Sequence, residues 1–297
     1  EISDVKTGSR KSKPQPPLST PTLLRKAGSD LNWTSKRVMN VANGLYQQGL
    51  ITYLRTDSTR TSPEARSTIR EYIAKNVGPN ALRADPGIVG EVSDSAVQDA
   101  HEAIRPTDPS NKSPDGLDKA QMSLYSLIWS RFAASQMVDS EYSTLSIKAR
   151  VNGFDRILTS SKSWRVKDGW EWAFGSQRVT PNLNPPETDT TVGSSIQILT
   201  NDDSPRLIVD ETKPPSRLRQ HTLVESMQKS GIGRPSTYAS TVDKLLDEKR
   251  RYVVSENGSL IPTERGMLLW EEIAPMYGND GSRGVFESEF TAGMEAS

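Results

Sequence analysis

Apolar residues along the chain keep a helical spacing first, then a strand spacing, then a helical one again. From about Ser35 to Gln48, Val38, Met39, Ala42, Leu45 and Tyr46 fall on one stripe, and Gly49 stands where a helix would stop. Leu50 to Arg55 follows as a predicted strand, and Ser62, Glu64 and Ala65 open a second helix that runs to about Lys75. Leu117 to Met137 restores the helical period through Leu124, Leu127, Ile128, Trp129 and Phe132. From Tyr142 the period shortens to two. Strands are predicted at Tyr142–Val151, Phe154–Thr159, Trp170–Phe174, Ser195–Leu199 and Leu207–Asp210, between clusters of Gly, Pro, Asn and Ser. Beyond Lys213, Leu223–Lys229, a tight Gly231-Ile232-Gly233 turn and Thr237–Glu248 read as a helix-turn-helix. A hairpin over Tyr252–Ile261 turns at Asn257-Gly258, and a last helix covers about Glu264–Ile273.

The segments between these elements are informative too. Glu1 to Leu18 is polar and basic and carries Pro14, Pro16 and Pro17, so it reads as a loosely held linker or an extended strand entering the fold. Residues 76–116 form a long irregular stretch, rich in Gly and Pro, that contains His101 to Asp108; long loops of this kind are often functional. The whole pattern is a multi-domain α+β chain: an entry segment at 1–18, a helical part at 19–137, a β-rich part at 138–212 and a second helical part at 213–297.

Composition narrows the classes. A chain of 297 residues is long enough for two or three cores. No apolar run approaches the roughly 18 residues that span a bilayer, and Glu1 opens the chain with neither an initiator Met nor a signal region, so a fragment of a longer cytoplasmic protein is expected. The absence of Cys excludes a disulfide framework, a zinc ribbon and a thiol nucleophile within these limits. Net charge is zero, yet the first 70 residues hold twelve Lys and Arg against five Asp and Glu, so a polyanion is locally welcome.

Three places carry candidate chemistry. In the predicted strand Leu50–Arg55, Tyr53 and Arg55 project on one side about 6.5 Å apart. A phenol can attack phosphorus while a guanidinium gathers the non-bridging oxygens. On these six residues alone, an ordinary strand tyrosine beside a surface arginine is the commoner explanation. His101, one of two histidines, is the better placed to neutralise a phosphate or position a phenol, with a structural histidine as an even rival. Glu102 and Arg105 are expected to pair and hold its loop. In the third segment Pro235 to Thr237 make the first turn of a helix, whose free N–H groups attract phosphate, and Arg234 stands beside it with Ser236 and Thr237. A solvated Arg234 on a DNA-free helix-turn-helix is the alternative. Trp129, Trp164, Trp170 and Trp172 could stack on bases, but core packing is the commoner role.

Taken together, these segments resemble the type IA DNA topoisomerases of the bacterial topoisomerase I kind. Gly49-Leu-Ile-Thr-Tyr-Leu-Arg-Thr-Asp-Ser58 is similar to the family's active-site segment, Ala100-His-Glu-Ala-Ile-Arg-Pro106 to a second signature, and Ser230-Gly-Ile-Gly-Arg-Pro-Ser-Thr-Tyr-Ala-Ser240 to a third, in the family's order. The likeness reaches from about Pro16 to Phe290-Thr-Ala-Gly-Met-Glu295. It implies a winged-helix-like domain holding the catalytic Tyr53, with Arg55 and His101 at the cleaved phosphate. It further implies a β-rich arch, with 1–18 as its entry strand, and a helical part contacting DNA through Arg234, Ser236 and Thr237. By the same resemblance Tyr53 forms a 5′-phosphotyrosyl bond on single-stranded DNA, a strand passes, and the 3′-hydroxyl reseals the break, which relaxes negative supercoils without ATP. The family's magnesium belongs to an acidic Toprim module, and no Asp-x-Asp-x-x-x-Glu appears here, so that module is expected ahead of residue 1 as a partner within the same, monomeric, nucleoid-associated polypeptide. No metal ligand is assigned to this chain, and by itself it is expected to bind DNA weakly and not to relax it.

Other readings fit less. Reverse gyrase shares the motifs and differs by a helicase module. Topoisomerase III usually has Pro where Leu54 stands. A tyrosine recombinase places its His and Arg ahead of the Tyr, with a different spacing. A non-enzymatic winged-helix regulator leaves Tyr53, Arg55 and the His101 loop unexplained.

Overall fold

The structure is a computed structural model that describes residues 1–85, 101–151, 153–175, 191–195, 211–278 and 284–296. The chain opens with strand β1 (Ile2–Ser12), helices α1 (Thr20–Asp30), α2 (Ser35–Gln47), α3 (Pro63–Asn76) and α4 (Lys119–Ser135), and strands β2 (Ser140–Val151) and β3 (Phe154–Lys167). Helices α5 (Gln220–Lys229) and α6 (Tyr238–Leu246), the hairpin β4 (Val253–Glu256) and β5 (Ser259–Pro262), and helices α7 (Glu264–Leu268) and α8 (Ser288–Ala296) complete it. The fold is thus mixed helix and sheet, as the pattern predicts.

The helices begin and end for local reasons. Thr34 and Ser62 cap α2 and α3 by accepting the N–H groups of Arg37 and Ala65, and Asp118 and Gln121 cap α4 reciprocally. Helix α2 stops at Gly49, at φ 72°, where Gly49 N–H donates to Tyr46 O and Leu50 N–H to Leu45 O. Val38, Ala42 and Leu45 are buried as predicted, whereas Tyr46 is 40 % exposed. Eight residues at 100° each place it about 80° round from Val38, at the stripe's edge.

One buried cluster ties both helical parts together. Leu23, Leu24, Val38, Ala42, Ile69, Ile73, Ile128, Trp129 and Phe132 share it with Val224, Met227, Tyr238 and Val242. Helix α1 packs closest on α5: a Cβ at Gly28 would lie 2.6 Å from that of His221. Trp129 is fully buried and donates to Pro109 O, and Trp170 donates to Ser12 O, so both are structural.

Several predicted boundaries change. Of the two readings of the entry segment the extended strand is the one that forms: residues 2–12 pair along β2, from Ile2 opposite Ala149 to Ser12 opposite Ser140, and the three prolines come after the strand ends. The sheet is antiparallel in the order β1-β2-β3. Strand β3 runs on to Lys167 because β2 offers it partners that far. Trp170–Phe174 is a 3-10 turn, not a strand. A Cβ at Gly169 would lie 2.5 Å from Val138 O, which accepts Trp170 N–H at 3.1 Å, and Trp170 and Phe174 meet edge to face. The helix predicted over Glu264–Ile273 is α-helical only to Leu268, Leu269–Ile273 widens to i→i+5 turns ahead of Pro275, and it is not the last, since α8 follows. The hairpin turns at Asn257 and Gly258, both at positive φ, as its sequence predicts. Of Ser195–Leu199 only Ser195 is among the described residues, and Leu207–Asp210 lies outside them. Among the described residues no helix is long and apolar enough to cross a membrane.

Candidate active site and nucleic-acid interface

The predicted strand at Leu50–Arg55 does not form. Only Ile51 makes a bridge, to Pro106, and the next residues bend. Threonine side chains take the place of ladder bonds. Thr52 Oγ1 donates to Ala103 O at 2.7 Å and accepts Arg105 N–H at 3.0 Å, while Thr20 Oγ1 donates to Leu54 O and Thr56 O at 2.7 and 3.0 Å. Thr52 N–H donates to Arg105 O, Thr107 N–H to Leu50 O, Ile104 N–H to Leu18 O and Ala103 N–H to Arg60 O. Three remote segments, 18–20, 50–60 and 101–107, are therefore stitched into one layer. The shared face of Tyr53 and Arg55 cannot be taken from strand alternation.

That layer brings Tyr53 and His101 together. Tyr53 is 36 % exposed, and its ring centre lies 5.2 Å from that of His101 at a 33° tilt. Tyr46 also meets it edge on, at 5.5 Å and 66°. Aromatic pairs of this kind are worth about 0.5–1.5 kcal/mol each, enough to favour one rotamer of a half-open ring severalfold. Arg55 and His101 are exposed, and among the described residues no hydrogen-bond partner holds the Tyr53 hydroxyl or the Arg55 guanidinium. The ring thus presents a phenol to solvent rather than to a sealed interior. Arg105 pairs with Glu102 through Nε at 2.8 Å and donates to Pro106 O, which braces the His101 loop as expected.

The second cluster follows another glycine stop. Helix α5 ends at Gly231, φ 70°, with Ile232 N–H donating to Met227 O and Gly231 N–H to Gln228 O. The chain then turns through Gly233, at φ 87°, into Arg234. Residues 235–237 are a turn leading into α6, which begins at Tyr238 rather than at the predicted first turn. Thr237 Oγ1 accepts Arg234 N–H at 2.8 Å, so its hydroxyl is engaged locally, while Ser236 is exposed. Arg234 is not solvated alone: Nη1 lies 3.1 Å from Glu295 Oε2. Burial raises the pKa of the Tyr238 phenol, Arg234 opposes this, and Glu295 and Asp57 add to it. His221, the other histidine, is packed against α1, and burial lowers its pKa.

Tyr46 and Glu295 are the residues that sequence reasoning missed. The sequence places Tyr46 on the apolar stripe of its helix, with no signal of a ring partner, and Glu295 in a segment about sixty residues away from its partner. Among the described residues no group of three or more His, Asp or Glu could hold a metal ion.

The sequence profile of the DNA topoisomerase family matches residues 1–297. The chain is 34 % identical over 312 residues to DNA topoisomerase 1 of Xylella fastidiosa, covering 99 % of this chain and 37 % of that protein. It is 35 % identical over 293 residues to DNA topoisomerase 1 of Vibrio cholerae, covering 96 % and 31 %. Full-length topoisomerase I of Thermotoga maritima superposes with a TM-score of 0.79 at 31 % identity, over 99 % of this chain and 47 % of that one. The chain spans about a third of the length of the curated relatives it matches. It belongs to the DNA topoisomerase family, beside the bacterial topoisomerase I proteins.

Proposed function

We propose that this chain carries the nucleophile of a type IA topoisomerase, with Tyr53 cutting one DNA strand and Arg55 and His101 serving the phosphate it attacks. The observation that carries the reading is the half-open Tyr53 ring in contact with both His101 and Tyr46, with an exposed Arg55 two residues on. Tyr53 oxygen bonds to phosphorus as the bond from phosphorus to the 3′ oxygen breaks. The phenol gives up its proton and the 3′ oxygen gains one, so a 5′-phosphotyrosyl ester and a free 3′-hydroxyl result. Arg55 and His101 neutralise charge gathering on the non-bridging oxygens. The ester keeps the energy of the linkage it replaced, so resealing by the 3′-hydroxyl needs no nucleotide.

In this reading Arg234 and Ser236 contact the DNA backbone, the sheet of β1, β2 and β3 belongs to the arch, and the helical part around Tyr53 is winged-helix-like. Magnesium is assigned to another, acidic part of a longer polypeptide, and no step here is routed through it. The isolated chain is accordingly expected to bind single-stranded DNA weakly and to leave supercoiled DNA unrelaxed; robust magnesium-dependent relaxation by the chain alone would contradict this. The enzyme reading is tested in the longer polypeptide with oligonucleotides labelled at either end. Protein should become attached to the fragment 3′ of the cut, through its 5′ phosphate, and Tyr53→Phe should abolish the adduct with binding retained. A DNA-binding regulator would give no adduct in either version.

A further inference from the structure

We infer that Glu295 is a positioning residue for Arg234, gripping the end of the guanidinium so that its side stays open to a DNA phosphate. The inference rests on the reading of Arg234 as a DNA contact. A guanidinium offers five N–H donors: an end fork formed by the two Nη atoms, a side fork formed by Nε and Nη2, and one further N–H on Nη1. Arg234 Nη1 donates to Glu295 Oε2 at 3.1 Å and to Gly233 O at 3.2 Å, and Nη2 donates to the main-chain oxygen of Glu295. These three bonds draw on Nη1 and Nη2 alone. Nε–H has no partner among the described residues, and the side chain is 45 % exposed. Nε–H together with an Nη2–H makes a side fork suited to bidentate contact with a phosphate.

The same carboxylate oxygen accepts Gly233 N–H at 2.6 Å, so one atom joins the guanidinium to the backbone of the turn that bears it. The turn itself has little freedom. A Cβ at Gly233 would lie 2.9 Å from the Tyr238 ring, and one at Gly231 would lie 3.3 Å from Ala292 of α8. Helix α8 thus sits against the turn and delivers Glu295 to it. A free arginine loses side-chain freedom when it binds, and one already held loses less. The carboxylate also repels an approaching phosphate, so positioning and competition act in opposite directions and the sign of one variant separates them.

The test is binding of a short fluorescein-labelled oligothymidylate by the 297-residue chain, followed by anisotropy across a salt series. Arg234→Ala should weaken binding about tenfold and lower the salt slope by about one. Glu295→Gln keeps an acceptor for Gly233 N–H but loses the charge, and should weaken binding about fivefold. In the Arg234→Ala background it should change nothing, an outcome that general loss of stability would not produce. Glu295→Ala should act in the same direction and further, and if it does not fold the Gln variant carries the test. Unchanged or tighter binding by Glu295→Gln, with Arg234→Ala weakened, overturns the inference and makes the carboxylate a competitor. Unchanged binding by Arg234→Ala removes instead the reading of Arg234 as a DNA contact.

Discussion

The Tyr53 segment is tied by a few backbone bonds at Leu50 and Thr52, by threonine hydroxyls and by ring contacts, and this has measurable consequences. Removing the edge contact in Tyr46→Ala should slow covalent adduct formation in the longer polypeptide by up to about tenfold, from a ring contact of about 0.5–1.5 kcal/mol, while Tyr46→Phe stays near the parent rate. An unchanged rate in the Ala variant would make the contact incidental. Tyr125 gives a second residue-level expectation. Its hydroxyl donates to Asn111 O at 2.6 Å, and burial, helped by Asp108, pushes its pKa to about 12. The fold therefore favours the neutral phenol. Its contribution is intact below the unfolded value near 10 and falls as pH rises from about 10 to about 12. Tyr125→Phe should be less stable near neutrality by about 1 kcal/mol, for the lost hydrogen bond, and should lose stability less steeply over that alkaline range in urea titrations. Equal slopes for both proteins would contradict the assignment.

At the scale of elements, the two candidate segments share a construction. A helix ends at a positive-φ glycine, and the chain leaves it at a fixed angle, after Gly49 toward Tyr53 and after Gly231 toward Arg234. These stops were legible because glycine follows the last periodic residue, and the hairpin was legible because Asn257-Gly258 suits a turn with two positive φ angles. The Tyr53 segment was misjudged as a strand because its partners, Thr20 and Ala103 to Arg105, are remote, and side-chain hydroxyls leave no alternation in the local sequence. Tyr46 was misjudged because a helical stripe has an edge, and only the packed neighbour shows on which side of it a residue falls. Two glycine substitutions test the helix packing with opposite signs. Gly28→Ala forces a methyl against His221 and should cost about 1–3 kcal/mol in thermal or urea unfolding. Gly44→Ala, inside α2 with only Gln121 nearby at 3.5 Å, should stabilise by about 0.5–1 kcal/mol. Stabilisation by both would show that the α1–α5 contact is looser than described.

Across the whole molecule, the cluster running from Leu18 to Val242 sets the Tyr53 layer and the Arg234 turn on one packed body. Lys36 with Asp243, Arg25 with Glu225, and Ser35 N–H donating to Gln220 span the same boundary from outside. Exposed pairs like these add little, so the apolar contacts carry the attachment. The sheet is different: among its described side chains only Ile2, Ser140 and Leu145 are buried, so it stands largely in solvent. Helices α2 to α7 and strands β2 and β3 were legible from periodicity, whereas α1 and α8 were not. That the two helical parts share one core was not, since it depends on which apolar faces meet. The central claim, that Tyr53 is the nucleophile, is tested most directly by mass spectrometry of the DNA adduct trapped in the longer polypeptide. Trypsin releases residues 38–55 as one peptide that contains both Tyr46 and Tyr53. Fragmentation should place the nucleotide phosphate on Tyr53 alone; finding it on Tyr46, or on any other peptide, would contradict the account.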